Sequence, residues 1–400
     1  MQKFEKHSPV VVTEVTTKHE LRQFMQYPNR LYADNPNYIP SFYGDDLSDW
    51  TPGKNPAFDY CEARCWLAWR DGEIVGRIGA ILSHKANDKF GTHRMRFSQV
   101  DFVDDSEVSA ALFGMVERWA REKGCDQVHG PLGFTDMDRE GMLVEGFDRR
   151  SLFFTNYNAP YYLEHLTRLG YRKDVDWIEY RITVPAPGSA EAERLHKLSE
   201  FILKRKNLHV ATVHHKSEYG PFVRQVFELV NAAYAPLYGV VELSDEQIER
   251  YANKFIPLVD PEFVCFVLDK QDKLVAFGVT ALDPSVALKH SDGRLFPFGW
   301  AGVLNDLHHS DTLIMLLTAV RPDLQTEGIN AVMMDHVCQS CNRHGVQFAE
   351  TGPMLELNDH ILAQWKRLEK EQHKRRRCFI KDLNHDVNAA NTAAAAQAEA

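Results

Sequence analysis

A chain of 400 residues has room for two or three ordinary domains, and its 44% hydrophobic and 26% charged content is that of a folded globular protein rather than a disordered one. The formal net charge of −10 argues against sequence-independent binding to nucleic-acid phosphates, which rewards a basic excess. The longest apolar run, around Leu313–Leu317, is far too short to span a bilayer, and residues 1–7 carry no apolar core behind their charges, so a cytoplasmic protein without a transmembrane segment is expected.

Taken in chain order, residues 64–76 read as an apolar strand, an Asp-Gly turn and a second strand, which is a β-hairpin. Residues 112–124 form an amphipathic helix closed by Gly124, followed by a short strand at 125–128 and Gly130-Pro131. The stretch 130–146 holds four glycines and five charged residues and reads as a loop. It is either a substrate-facing wall or a surface loop with turns at Asp136 and Asp138. A helix over 158–171 follows, and Val184-Pro-Ala-Pro-Gly-Ser189 marks a domain break. Beyond it come a helix at about Ala190–Lys206, a second hairpin at 264–276, a buried strand at Thr312–Val320, a helix from near Ala331 to Gly345, and a strand at Val346–Glu350. The basic run His373–Arg377 reads as a solvated helix end or strand edge. The alanine-rich residues 384–400 have nothing to bury and are expected to be disordered.

The order hairpin, strand, helix, strand occurs twice, which points to a duplicated α/β unit. The offset between copies is 200 residues at the hairpin (64 to 264) and 221 at the helix (112 to 333), so about 21 extra residues separate them in the second copy. They fall in 283–311, a stretch that includes the aromatic, glycine-punctuated segment 293–300.

The strand Thr312–Val320 runs into Val320-Arg-Pro-Asp-Leu-Gln-Thr-Glu-Gly-Ile-Asn330 and then a helix. Unpaired N–H groups and the positive end of a helix dipole point at one spot there, where Gly328 permits close approach of an anion. The pattern Val320-x-Pro322-x-x-Gln325-x-x-Gly328-x-Asn330 resembles the acetyl-CoA loop of the GNAT (GCN5-related N-acetyltransferase) superfamily, with Asn330 where that family prefers Gly or Ala. The helix ending in Gly170-Tyr171 resembles the family's last helix, and the resemblance extends over roughly residues 10–383.

The resemblance implies an α/β (α+β) fold of two tandem GNAT-like domains, each a mixed, mostly antiparallel sheet flanked by helices. The expected spans are 1–185 and 190–383, with acyl-CoA bound in the second only. Thr318, Val320, Gln325, Thr326, Glu327, Gly328, Ile329 and Asn330 would then contact the cofactor. In the first half, Asp104, Asp105 and Glu107 stand where the loop should be, and their charge suits a helix cap rather than a phosphate cradle. The seven cysteines are an odd number without export signal or ligand spacing. Cys338 and Cys341, like Cys61 and Cys65, read as packing residues, and no metal is expected.

The function that follows is acyl transfer from acyl-CoA (acetyl or longer) to an amine, either a small molecule or a lipid-like one. Glu350 is the candidate base and Tyr234 and Tyr238 the candidate acids. The aromatic stretch Leu295–Trp300 suits a lipid-like amine such as a sphingoid base, or a long acyl chain, and leaves room for peripheral membrane contact. A non-catalytic acyl-CoA-binding or scaffold protein and a Fem-like aminoacyl transferase are the alternatives, the latter disfavoured by the acidic balance.

Overall fold

The computed structural model describes residues 8–383; the tail expected to be disordered lies outside them. In chain order the elements begin with β1 (Val11–Glu14), α1 (Lys18–Leu31), α2 (Tyr43–Asp49), β2 (Cys61–Arg70), β3 (Glu73–Ser83), α3 (His84–Phe90) and β4 (Arg94–Phe102). They continue through α4 (Ser106–Glu122), β5 (Gln127–Gly130), β6 (Met142–Glu145), α5 (Tyr162–Arg168), β7 (Arg172–Thr183), α6 (Ala190–Lys206), β8 (His209–Val210), α7 (Gly220–Tyr234) and α8 (Asp245–Phe255). The last are β9 (Val264–Leu268), β10 (Leu274–Leu282), α9 (Ser285–His290), α10 (Gly299–His309), β11 (Thr312–Val320), α11 (Asn330–His344), β12 (Phe348–Thr351), β13 (Met354–Leu355), α12 (Asp359–Ala363) and β14 (Lys370–Asp382).

Two compact units emerge: the described part of Met1–Asp176 with Arg376–Ala400, and Trp177–Arg375. The chain therefore passes between units inside β7 and inside β14 rather than only at the proline-rich segment, and the end of the last strand belongs with the first unit. There it pairs antiparallel with β5, Phe379 opposite Gly130.

The first unit orders its strands β1-β2-β3-β4-β5-β14. All neighbours whose registers are defined run antiparallel except β4 and β5, which pair in parallel over Arg94–Arg96. Helix α4 closes one face: Val108, Leu112, Phe113, Val116 and Trp119, at helical spacing, pack onto Trp66, Phe97 and Phe102. The loop expected over 130–146 is tighter than its composition suggested. Phe134 is buried against Trp50 and Phe58, and the Arg96 guanidinium donates to the Gly133 carbonyl at 2.8 Å, so an apolar anchor and a buried cation hold it. The Asp138 carboxylate reaches back along the chain rather than forward as in an Asx turn, accepting from the N–H of Phe134 and of Thr135.

The second unit orders its strands β7-β12-β11-β10-β9-β8, with β13 on β7. Only β11 and β12 are parallel. The extra residues of the second copy form α9 and α10. The turn between them leaves Phe296 and Phe298 each 81% exposed, with Trp300 also open to solvent.

Candidate active site

Strand β11 is the element on which the second unit turns. It pairs with β12 from Thr312/Phe348 to Met315/Thr351, where the pairing ends, while β11 continues alone on that edge to Val320. On its other edge, Val279 stands opposite Leu317 but Thr280 opposite Met315, so Leu316 is bulged out of the ladder. A strand that loses one partner and bulges against the other exposes backbone polar groups along a gap, between Leu316 and Val320.

Beyond Val320 the chain makes a short 3₁₀ turn at Pro322–Leu324 and reaches α11 at Asn330. Ile329, at the N-cap, supplies no side-chain hydrogen bond to the first turn of α11. Gln325, Thr326, Glu327 and Gly328 are exposed, Ile329 is buried, and Asn330 is partly covered. Gly328 has φ +80°, and a Cβ there would stand 3.1 Å from Ile202 Cδ1. No side chain caps this helix end, and the Ala331 and Val332 N–H groups turn back onto the Gly328 and Ile329 carbonyls, each at 2.9 Å, while the positive end of the helix dipole faces the Gly328 turn. The Glu327 carboxylate is drawn aside by Lys206 at 2.5 Å, and Asp323 is clamped by Arg321 at 2.7 Å.

The corresponding turn of the first unit is built differently. Residues 103–105 alone join β4 to α4, and the Asp105 carboxylate accepts from the N–H of Glu107 and Val108, filling the helix end. Arg70 bridges Asp105 and Glu107 and holds the Asp105 carboxyl below its ordinary range against the opposing effect of burial. Asp104 instead meets His165 Nε2 at 2.9 Å, and His165 Nδ1 lies 2.7 Å from Ser109 Oγ. This Ser-His-Asp arrangement is a tie between α4 and α5: Ser109 is 1% exposed, and no substrate atom could reach it.

Alternation along the strands sorts the second unit's side chains onto two faces of the sheet. Gly278, Thr280, Met315 and Ala349 look toward α11 and, with Met333 and Trp365, line an apolar cavity of about 90 Å³ beside Asn330 and Thr318. Val279, paired with Leu317, looks the other way, as do Ile314 and its partner Glu350. A second, largely apolar cavity of about 60 Å³ lies on that face under α7 and α8. Leu317, beside the bulge, lines both cavities.

Glu350, the sequence-predicted base, is thus on the opposite face from the α11 cavity. Lys374 Nζ lies 3.3 Å from its Oε2 and 3.2 Å from Glu179 Oε2, with side-chain exposures of 0% for Lys374 and Glu179 and 15% for Glu350. His373 Nε2 is 3.8 Å from the same Glu350 oxygen. Burial pushes the Glu350 carboxyl above its ordinary range; the Lys374 ammonium pulls it back, while Asp283 and Glu179 add to the rise. A partly desolvated carboxylate beside one ammonium thus binds its proton more tightly than an exposed one does.

Tyr234, at the end of α7, donates its hydroxyl hydrogen to the Thr318 carbonyl at 2.8 Å, which brings it to the open segment of β11. Thr318 Oγ1 donates back to Phe277 O at 3.2 Å. Tyr238 packs edge-on against Trp177 at 6.0 Å instead.

The basic run departs from the sequence expectation. It lies in β14, where His373, Lys374 and Arg376 are buried. Three of its cations meet carboxylates, Lys374 those of Glu179 and Glu350, Arg375 that of Glu356 and Arg377 that of Asp176, while Arg376 donates to the Asn156 carbonyl and the Thr155 hydroxyl. Lys374 and Glu179 were not predicted as site residues, because their partners lie far apart in sequence and no local spacing announces them. All seven cysteines are free and buried, and burial raises the Cys338 and Cys341 thiols to about 11 and about 12. Among the described residues one group, His129, Asp174 and Cys378 in the first unit, has metal-ligand proximity. Arg94 lies 3.7 Å from Asp174 and competes for that carboxylate.

The fold is similar to that of solved tandem GNAT and GCN5-related N-acetyltransferase proteins. A tandem GNAT protein from the clavulanic acid biosynthesis pathway superposes with a TM-score of 0.53 at 13% identity, covering 94% of this chain and 98% of that one. A GCN5-related N-acetyltransferase from Sphaerobacter thermophilus gives 0.50 at 12% identity, covering 94% and 96%. In sequence the chain is 27% identical to protein YghO of Escherichia coli (strain K12), over 93% of this chain and 95% of that protein. It is 28% identical to a bacterial ceramide synthase of Caulobacter vibrioides, over 73% and 75%. No protein-family model matches the chain.

Proposed function

We propose that the second unit transfers an acyl group from an acyl-CoA thioester to the nitrogen of a lipid-like amine. The observation that carries this reading is the gap beside β11. It opens next to an uncapped helix and a Gly328 turn, with an apolar cavity on the α11 face and a partly buried carboxylate on the other. Gln325–Asn330 would hold the pyrophosphate on backbone N–H groups, and the α11 cavity would take the pantetheine arm between Thr318 and Trp365. The similarity to a ceramide synthase supports a long-chain amine as the acceptor class. The exposed Phe296 and Phe298 offer apolar surface toward the lipid layer that would carry it.

The chemistry asks little of the protein beyond position and proton management. Glu350 accepts the proton of the ammonium form, and the freed nitrogen attacks the thioester carbonyl carbon. A backbone N–H in the unpaired part of β11, around Thr318–Val320, stabilises the oxygen as charge develops there. The N–C bond forms and the C–S bond breaks; Tyr234 is the candidate to deliver a proton to the departing thiolate, and the second proton shed by the nitrogen returns to the tyrosinate. Lys374 acts through Glu350, fixing its rotamer and balancing its charge between turnovers. The first unit contributes no thioester site in this reading, because Asp105 occupies its helix end.

Calorimetry with coenzyme A and long-chain acyl-CoA tests it. Gly328→Asp adds charge and strain at φ +80°, whereas Thr326→Glu adds charge alone at an exposed position. Both should lose at least tenfold in affinity; unchanged affinity in two folded variants would refute the loop assignment.

A further inference from the structure

The two apolar cavities of the second unit lie on opposite faces of the sheet, and the candidate base lies on only one of them. Ile314, the partner of Glu350, and Leu317, the partner of Val279, point away from α11, whereas Met315, Thr280 and Gly278 point toward it. A nucleophilic nitrogen must come within about 3–3.5 Å of the thioester carbon and within hydrogen-bond reach of its base. It therefore enters the gap from the Glu350 face. Whatever hydrocarbon is attached to that nitrogen extends over the same face, where the chain offers an apolar cavity lined by Val223, Val226, Ala252, Ile256, Phe266 and Leu317. Its single polar side chain is Tyr219. The cavity reaches the gap through Leu317, which also bounds the α11 cavity, so a tail seated there leaves its polar head at the bulge.

We propose that this cavity is the tail subsite of the acceptor amine, and that the acyl chain stays on the α11 face; the assignment rests on the acyl-transfer reading above. The two hydrocarbon chains are then selected by different walls. Residues under α7 and α8 set the length of the amine, and residues on α11 and in the segment just after α12 set the length of the acyl group. Each methylene buried in such a cavity is worth roughly three- to fourfold in binding, so blocking a few positions is readily measured.

The test is a matrix of acceptors (C4 to C18 2-amino alcohols) against donors (C2 to C18 acyl-CoA), with the full chain and two variants at half-buried lining positions, Val223→Phe and Ile256→Ala. Filling the cavity with Val223→Phe should lower the C18-to-C4 acceptor ratio of kcat/KM at least tenfold and leave the donor ratio within twofold. Enlarging it with Ile256→Ala should move the acceptor optimum to longer chains. A shift in donor preference instead, or no shift in either ratio with both variants folded, overturns the assignment. Calorimetric titration with the C18 amino alcohol alone separates this inference from the reading beneath it. If the wild-type chain turns over no amine, the transferase reading falls. A tenfold loss of C18 binding in Val223→Phe would still uphold the cavity as an amphiphile site, and equal binding would overturn it.

Discussion

Replacing Lys374 by Met removes one buried ammonium and strands two carboxylates. Lys374 Nζ lies 3.2 Å from Glu179 Oε2 and 3.3 Å from Glu350 Oε2, and neither Lys374 nor Glu179 exposes any side-chain surface. Removing one partner of a buried ion pair typically costs about 3–5 kcal/mol, because the remaining charge keeps its desolvation penalty without its counter-ion. At an m-value of about 2 kcal/mol/M that is a fall of about 1.5–2.5 M in the urea midpoint of the second unit. The pH dependence has a defined sign. Burial already lifts the Glu350 carboxyl above its ordinary range, and losing the ammonium lifts it further. A group whose folded-state pKa is raised binds protons more tightly when folded, so the variant loses stability as pH rises above the ordinary carboxylate range. The deficit should be largest at pH 8 and smaller at pH 5.5. Urea melts followed by tryptophan fluorescence (Trp365 is buried in this unit) read it directly, and adding Glu179→Gln to Lys374→Met should restore more than half of the loss. A loss below about 1 kcal/mol, or one equal at both pH values, would refute the argument that Lys374 neutralises this pocket.

Glu350→Gln keeps shape but not proton affinity, so turnover should fall by about 10²–10⁴-fold with acyl-CoA affinity nearly constant. In the wild type the acid limb of kcat should lie above the ordinary carboxylate range and vanish in this variant; a persisting limb removes Glu350 from the mechanism. Calorimetry should give one coenzyme A per chain, since Asp105 caps the helix end in the first unit, and two equal sites would contradict that electrostatic reading. Phe296→Ser with Phe298→Ser should reduce co-sedimentation with phosphatidylglycerol-containing vesicles at least fivefold while leaving coenzyme A binding intact; unchanged sedimentation would show that these exposed rings do not meet lipid.

Much of the second unit could be read from local pattern. The uninterrupted apolar run Thr312–Val320 is β11 to the residue, and Ala190–Lys206 is α6 to the residue, because strong periodicity between clear punctuation leaves few alternatives. The duplicated order of hairpin, strand, helix and strand also followed from the succession of local patterns, and the change from a Gly328 turn in one copy to an acidic cap in the other from the offset between them. The helix expected over 158–171 shortens to Tyr162–Arg168, since a segment that short has little helical stability of its own and tertiary contacts set its ends.

What tertiary structure alone decided is wherever distant residues share one environment. A run of Arg and Lys looks solvated when the only partners considered are its neighbours in sequence. In β14 it is buried because Glu179 and Glu350, on two other strands, converge on Lys374. The sequence offered Glu350 as a carboxylate at a strand end. Its raised proton affinity, its sheet face and its separation from the α11 cavity come from register, and a shift of one residue would have reversed the face. Local sequence fixes which elements form, because backbone propensity and periodicity act over a few residues. Pairing fixes which charges meet, because desolvation and Coulomb energy depend on distance in space and not along the chain.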